Sequence, residues 1–225
     1  MLRPDTNPEA IIWDLDGTLV ESAPDLATAL NTLLNEQGQH GHPVDCVRPM
    51  IGGGVAVLIE RGFHAAGTSL TEDERDALVP RFMEIYRECC TDSTALMPYA
   101  RESLSFFYHA GAVQAVCTNK PLDVTDQILN SLDIMGYFGS VVGGDSTPHK
   151  KPHPQPLLTC LDELGVTPSQ AVMIGDSGAD VGAAQGAGVP IILVSGGYTG
   201  MPATALGADY VVTNLSQLPG SLVPK

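Results

Sequence analysis

The sequence has little positive charge. Its 225 residues carry 11 Lys and Arg against 26 Asp and Glu, a formal net charge of −15 at pH 7. A surface this acidic repels the phosphates of nucleic acid and of anionic membranes, so neither is expected as a partner. An anionic substrate would need local cations or a metal. No C-x-x-C occurs among Cys46, Cys89, Cys90, Cys117 and Cys160, and the count is odd. Free thiols in a reducing cytoplasm are expected, not a disulfide framework. Long hydrophobic runs are missing too: stretches such as "VPIILV" (189–194) are far too short to cross a bilayer. The opening "MLRPDTNPEA" has no apolar signal core, so export is not expected. Internal repeats and low-complexity segments are absent.

What is present is a rhythm. Short apolar runs recur at 10–14 ("AIIWD"), 112–119 ("AVQAVCTN"), 140–145 ("SVVGGD"), 171–176 ("AVMIGD"), 190–197 ("PIILVSGG") and 209–213 ("DYVVT"). Continuous apolar character, rather than alternation, predicts strands buried on both faces. Helical stripes lie between them, as with Val124, Ile128, Leu129 and Leu132, or Leu157, Leu158, Leu161 and Leu164 before a stop at Gly165. Strands alternating with helices predict an α/β fold, a Rossmann-like open parallel sheet. From about Ser22 to Asp92 the rhythm breaks: helical periodicity runs through 24–38, 54–67 and 71–90, with no convincing strand. Thr71 and Glu74 have capping-box spacing. The region reads as an inserted small α-helical cap, residues 18–94, over a discontinuous core, 1–17 plus 95–225.

In open parallel sheets the ligand site lies at the carboxyl ends of the strands. The first run ends in "DLDGTLV", with Asp14 and Asp16 two apart. A lone D-x-D more often ends a strand and caps a helix; after a buried run and before Gly17, which lets the chain turn, it suits one carboxylate attacking and the other passing a proton. "TNK", 118–120, ends the second run with groups that suit phosphate oxygens. "KKPHP", 150–154, puts Lys151 directly before a proline that could aim it inward. His149 and His153 flank it and are read as loop residues. "GDSGAD" places Asp176 at a strand tip and Asp180 one helical turn on. Asp14, Asp16 and Asp176 make an all-oxygen acidic set, which points to Mg²⁺ rather than zinc.

Taken in order, "DLDGTLV", "TNK", "KKPHP" and "GDSGAD" resemble the four signatures of the haloacid dehalogenase superfamily. "ESAPDLA", "IGGGVAVLIERG" and "VVGGDSTPHKKPHPQPL" further resemble its phosphoglycolate phosphatase family. The likeness covers nearly the whole chain and has its helical cap in the same place. Trp13 stands where phenylalanine is usual, and "MPYAR" replaces a Pro-Tyr-Pro-Gly turn. The resemblance implies a phosphate monoester hydrolase acting on a small phosphorylated metabolite, 2-phosphoglycolate. Asp14 would form an aspartyl-phosphate. Asp16 would protonate the leaving alkoxide and then activate water. Thr118, Asn119 and Lys151 would hold the phosphoryl oxygens. Mg²⁺ would bind the side chains of Asp14 and Asp176 and the carbonyl of Asp16, with Asp180 in support. In the cap, the backbone N–H groups of Gly52, Gly53 and Gly54 ahead of a helix form a natural anion site, with Arg48 and Arg61 as nearby cations.

Other functions fit less well. A sugar phosphomutase would keep Asp14 and Asp16 but shield the aspartyl-phosphate from water. A phosphonatase needs a Schiff-base lysine in the cap, and residues 18–94 contain no lysine. A signalling receiver domain shares the acidic cluster, Thr and Lys but is shorter and lacks the helical insert. A dinucleotide-binding module would need G-x-G-x-x-G after the first strand.

Overall fold

The apolar runs become adjacent strands because each buries side chains on both faces. In the computed structural model, which describes residues 8–218, the first strand β1 (Ala10–Trp13) is wholly buried. Residues 1–7 and 219–225, which include most of the stretch read above for a signal core and both outer ends of the proposed core, lie outside the described residues. After β1 come β2 (Val20–Glu21), α1 (Ala23–Glu36), α2 (Val44–Val47), α3 (Val55–Ala65), α4 (Glu72–Cys89), β3 (Ala95–Leu96) and α5 (Ala100–His109). Then follow β4 (Val113–Cys117), α6 (Leu122–Ser131), β5 (Ser140–Val142), α7 (Gln155–Leu164), β6 (Ala171–Gly175), α8 (Gly178–Ala187), β7 (Ile191–Val194) and β8 (Tyr210–Val212). Six strands form one sheet in the order β5-β4-β1-β6-β7-β8. Every pairing in it is parallel, with Ile12 opposite Ala115 on one side and Met173 on the other. This is the predicted α/β class.

The two faces of β1 feed different cores. Ala10 and Ile12 pack with Leu157, Cys160 and Leu161 of α7 and with Val181 and Ala184 of α8. Ile11 and Trp13 pack with Leu104 and Phe107 of α5 and with Ile128 and Leu129 of α6. Each such aliphatic side chain, fully buried, contributes about 1.5–3 kcal/mol. Trp13 satisfies its indole N–H on Gln114 Oε1 at 3.0 Å, and Gln114 Nε2 donates to Leu104 O at 3.0 Å. The core therefore holds a buried polar pair without an orphaned donor.

The second core is continuous with a helical layer. Leu26, Leu30 and Leu33 of α1, Leu58, Ile59 and Phe63 of α3, and Phe82 and Tyr86 of α4 belong to the same apolar cluster as Ile11 and Trp13. The expected capping box opens α4: Glu74 N–H donates to Thr71 Oγ1 at 3.3 Å and Thr71 N–H to Glu74 Oε2 at 2.8 Å. Where the chain enters and leaves this layer, β2 and β3 pair antiparallel, Val20 opposite Leu96 and Glu21 opposite Ala95. Two-residue strands leave no period in a sequence, and this ribbon was not anticipated. Asp25, buried at the start of α1, braces it by accepting hydrogen bonds from Ser93 N–H (2.9 Å), Thr94 N–H (2.8 Å) and Thr94 Oγ1 (2.7 Å). At the unusual "MPYAR" turn, Tyr99 takes a left-handed φ of 65° just before α5.

Candidate active site

Parallel strands put their carboxyl ends on one edge, and the polar residues that follow β1, β4 and β6 converge there. Asp14 is fixed by its own N–H, which donates to Ile174 O on β6 at 2.8 Å. Gly17 turns the chain back with φ +81°; a Cβ at this position would lie 2.6 Å from Asp176 Oδ2. A Cβ on Gly197, in the loop after β7, would lie 2.2 Å from the same oxygen. Glycine at both positions lets backbone close around Asp176 on two sides.

Asp14, Asp176 and Asp180 are buried, and each offers a carboxylate oxygen within 4.8 Å of the others. One ammonium stands among them. Lys151 Nζ donates to Asp14 Oδ1 at 2.7 Å, Asp180 Oδ1 at 2.6 Å and Cys117 O at 2.6 Å, so its three donors are committed. Burial works against the lysine's charge, but Asp14 and Asp180 outweigh it and carry its pKa above the ordinary value. Burial, then repulsion from Asp180, pushes Asp14 from 3.8 up to about 7 against the pull of Lys151. Burial and then Asp14 and Asp180 likewise raise Asp176. Three carboxylates facing one lysine form a cluster short of positive charge.

That donor set fits Mg²⁺: it is all oxygen, it is hard, and its electrostatics favour a cation. The oxygens differ in how free they are. Asp180 Oδ2 accepts from Ser177 N–H (3.0 Å), Ser177 Oγ (2.7 Å) and Asp176 N–H (3.3 Å), completing the cap of α8, while its Oδ1 holds Lys151. Asp176 Oδ2 accepts Tyr198 N–H at 2.6 Å, and among the described residues its Oδ1 has only Thr18 Oγ1 at 3.5 Å. Asp14 Oδ2 has no hydrogen-bond partner among the described residues. Asp14 and Asp176 therefore have oxygens to offer a cation, and Asp180 is mostly spent on structure.

Asp16 stands apart from this cluster, on the side of the helical layer. Its Oδ1 accepts from Ser22 Oγ at 2.5 Å and pairs with Lys120 Nζ at 2.8 Å. Lys120 also donates to Tyr86 OH of α4 at 2.7 Å. Thr118 is buried, its Oγ1 accepting Lys120 N–H at 3.2 Å. Asn119 is engaged with protein throughout: Lys151 N–H donates to its Oδ1 at 2.9 Å, and its Nδ2 donates to Lys151 O and to Gly52 O, each at 2.9 Å. Donating to a phosphoryl oxygen would require the carboxamide to release one of these carbonyls. Gly52 and Gly54 line the same cavity of about 40 Å³ as Asp14, Asp16, Thr118, Lys120 and Lys151. Gly53 lies on the neighbouring surface, and Gly54 caps α3 at φ +88°. Arg48 is paired with Glu21 beside the Tyr198 ring, and Arg61 donates to Met50 O at 3.0 Å; neither lines that cavity.

Sequence reasoning singled out no role for Tyr86, Ser22 or Tyr198, and took Lys120 only with its neighbours as a group suited to phosphate oxygens. Lys120 was visible as the third letter of "TNK". Tyr86 read only as an apolar position of a helix. Tyr198 ties the site to the ribbon: its N–H holds Asp176, and its OH accepts Ser22 N–H (2.8 Å) and Ala23 N–H (3.1 Å) while donating to Glu21 (2.8 Å). No local motif marks such a residue.

Comparison with known proteins agrees with this geometry. The haloacid dehalogenase-like hydrolase family profile matches residues 11–194. A phosphoglycolate phosphatase of Caulobacter vibrioides is 41% identical over 219 residues, covering 97% of this chain and 92% of its own. One from Rhodospirillum rubrum is 38% identical over 215 residues, 94% of this chain and 89% of its own. Among solved structures, a predicted phosphoglycolate phosphatase from Haemophilus somnus superposes with a TM-score of 0.87 at 31% identity, covering 98% of this chain and 99% of its own. CbbY from Rhodobacter sphaeroides, solved in complex with phosphate, gives a TM-score of 0.79 at 25% identity over 96% of this chain and 99% of its own.

Proposed function

The chain belongs to the haloacid dehalogenase-like hydrolases and is a phosphoric monoester hydrolase; on that premise we propose that it hydrolyses 2-phosphoglycolate to glycolate and phosphate through an aspartyl-phosphate on Asp14. The carrying observation is the division between the two aspartates. Both line the cavity, but Asp14 lies in the charge-poor cluster with Lys151, and Asp16 lies outside it, paired with Ser22 and Lys120 on the side of the helical layer.

The mechanism follows from that division. An Asp14 oxygen attacks phosphorus, the bond from phosphorus to the ester oxygen breaks, and Asp16 gives its proton to the departing alkoxide. Water then attacks phosphorus, Asp16 takes a proton from it, and the bond from phosphorus to Asp14 breaks, releasing phosphate. Lys151 stabilises the negative charge on the phosphoryl oxygens, and the Thr118 hydroxyl donates to one of them. Asp14, Asp176 and the carbonyl of Asp16 would hold Mg²⁺, which when bound would supply positive charge to offset that of the phosphoryl group in an acidic site. Asp180 acts by fixing Lys151 and the start of α8. Preorganised charge of this kind suits phosphate monoesters, whose hydrolysis enzymes accelerate by up to roughly 10²¹-fold.

We take residues 18–94 as the cap and the remainder as the catalytic core, working in the cytoplasm on a small metabolite. A cavity of about 40 Å³ holds a few water molecules, so a phosphate ester would enter only as the cap lifts. The N–H groups of Gly52, Gly53 and Gly54 face substrate from the cap side in this reading. The test is phosphate release from a panel of small phosphate esters with Mg²⁺ and with EDTA. We expect phosphoglycolate to give the highest kcat/KM and EDTA to abolish turnover. Faster turnover of a sugar phosphate would refute the substrate and leave the phosphatase assignment standing.

A further inference from the structure

Two lysines line the cavity, and the mechanism uses one. Lys151 has no donor left. Lys120 is equally buried, its side chain 2% exposed, yet among the described residues it has two polar partners for three N–H donors: Asp16 Oδ1 at 2.8 Å and Tyr86 OH at 2.7 Å. Its Nζ also lies over the Tyr86 ring, 4.9 Å from the centroid. A buried ammonium is retained where it has anions to meet. Its partner is the informative point: Lys151 pairs with Asp14 and Asp180, whereas Lys120 pairs with Asp16, the residue assigned above to the leaving group.

We infer that Lys120, held by Tyr86 of the helical layer, is the cation that reads the carboxylate of the leaving group. This rests on the phosphoglycolate reading above and adds the residue that decides it. In phosphoglycolate the carboxylate is one methylene beyond the ester oxygen. With that oxygen beside Asp16, the carboxylate falls within reach of an ammonium bonded to the same aspartate. The other candidates are placed elsewhere. Arg48 is paired with Glu21, Arg61 is exposed and donates to Met50 O, and Lys150 is exposed with its Nζ beside Gly54; none of the three lines the cavity. Because Tyr86 belongs to α4 and Lys120 follows β4, this recognition exists only with the helical layer closed on the sheet.

The test compares phosphoglycolate with 2-hydroxyethyl phosphate, which replaces the carboxylate by an alcohol and keeps the ester. Lys120→Met should lower the ratio of kcat/KM for the two substrates by about 10- to 100-fold, the size of a charge-assisted hydrogen bond, mainly through KM for phosphoglycolate. Any damage to Asp16 falls on both substrates and cancels in the ratio. Tyr86→Phe keeps the ring and removes the hydroxyl, and should lower the ratio about 3-fold; it carries the test if Lys120→Met does not fold. Lys150→Met should leave the ratio unchanged. If the wild type prefers phosphoglycolate and both variants keep that preference, or if Lys150→Met removes it, the assignment to Lys120 is wrong and the substrate reading stands. If the wild type shows no preference, the substrate reading falls and takes this inference with it.

Discussion

Moving the metal-free protein from pH 6 to pH 8 should destabilise it, and Asp14 sets the size of the effect. Burial, followed by the Asp180 carboxylate, pushes its pKa from 3.8 up to about 7. In the unfolded chain the group titrates near 3.8 and is ionised throughout this range. Folded, it keeps most of a proton at pH 6 and very little at pH 8. A carboxyl whose pKa is raised by folding contributes stability that is complete below the unfolded pKa and is lost as pH rises through the folded one. For a folded pKa of about 7, the loss between pH 6 and 8 is about 1.4 kcal/mol. In a chain of this size that is about 3–6 °C in Tm. The raised pKa of Asp176 acts in the same direction. The assay is thermal unfolding in EDTA at both pH values, for the wild type and for Asp14→Asn, whose amide does not titrate. Every other ionisable group is common to the two proteins. Mg²⁺ binds the ionised carboxylates, so its stabilising increment should be larger at pH 8 than at pH 6. Equal pH dependence in the two proteins, or a larger Mg²⁺ increment at pH 6, would refute the electrostatic picture of the cluster.

Three further outcomes are expected from activity measurements. Asp14→Asn should fold and retain no more than a few percent of wild-type phosphate release, whereas Asp16→Asn should still be phosphorylated by esters with good leaving groups; a fully active Asp14→Asn would exclude the covalent route. Lys151→Ala should cost more than about 100-fold in kcat and also lower Tm, because breaking a buried pair that joins Asp14 and Asp180 costs about 3–5 kcal/mol. Lys150→Ala, at an exposed position, should stay within about 2-fold by the same steady-state assay. Replacing Mg²⁺ by Ca²⁺ should inhibit, since Ca²⁺ favours more ligands and a looser geometry; full activity in Ca²⁺ alone would contradict the site described.

The sheet was legible because strands buried on both faces must be apolar throughout. All six runs became strands, each within the stretch read for it, and they lie parallel with their polar ends on one edge. Helices α1, α3 and α4 were legible from periodicity, and the start of α4 from the capping pair Thr71 and Glu74. What the sequence hid was of two kinds. The β2–β3 ribbon is too short to carry a period, although it is where the chain passes between the layers. The second kind is contact at long separation. Lys120 meets Tyr86 across 34 positions, and Asp25 meets Thr94 across 69. Tyr198 reaches Ser22 across 176. No local pattern records such a meeting. Asn119 illustrates the same limit: its type suited a phosphate contact, while its surroundings bind it to Gly52 and Lys151.

Those hidden contacts share a direction. Asn119 joins the loop after β4 to Gly52, Lys120 joins it to Tyr86, and Tyr198 joins Asp176 to the start of α1. Each is made by a residue next to, or bonded to, one of the groups assigned to the chemistry. A helical layer held only by apolar packing could lift without disturbing the carboxylates. Held by these hydrogen bonds, it cannot lift without releasing Asn119 from Gly52 and Lys120 from Tyr86, which alters the surroundings of Lys151 and Asp16. The polar clasps therefore couple closure to assembly of the site. That coupling suits the proposed reaction, in which an acyl phosphate would be shielded during its formation and then exposed to a single water, because loosening the layer also loosens Asn119 and Lys120 beside Lys151 and Asp16.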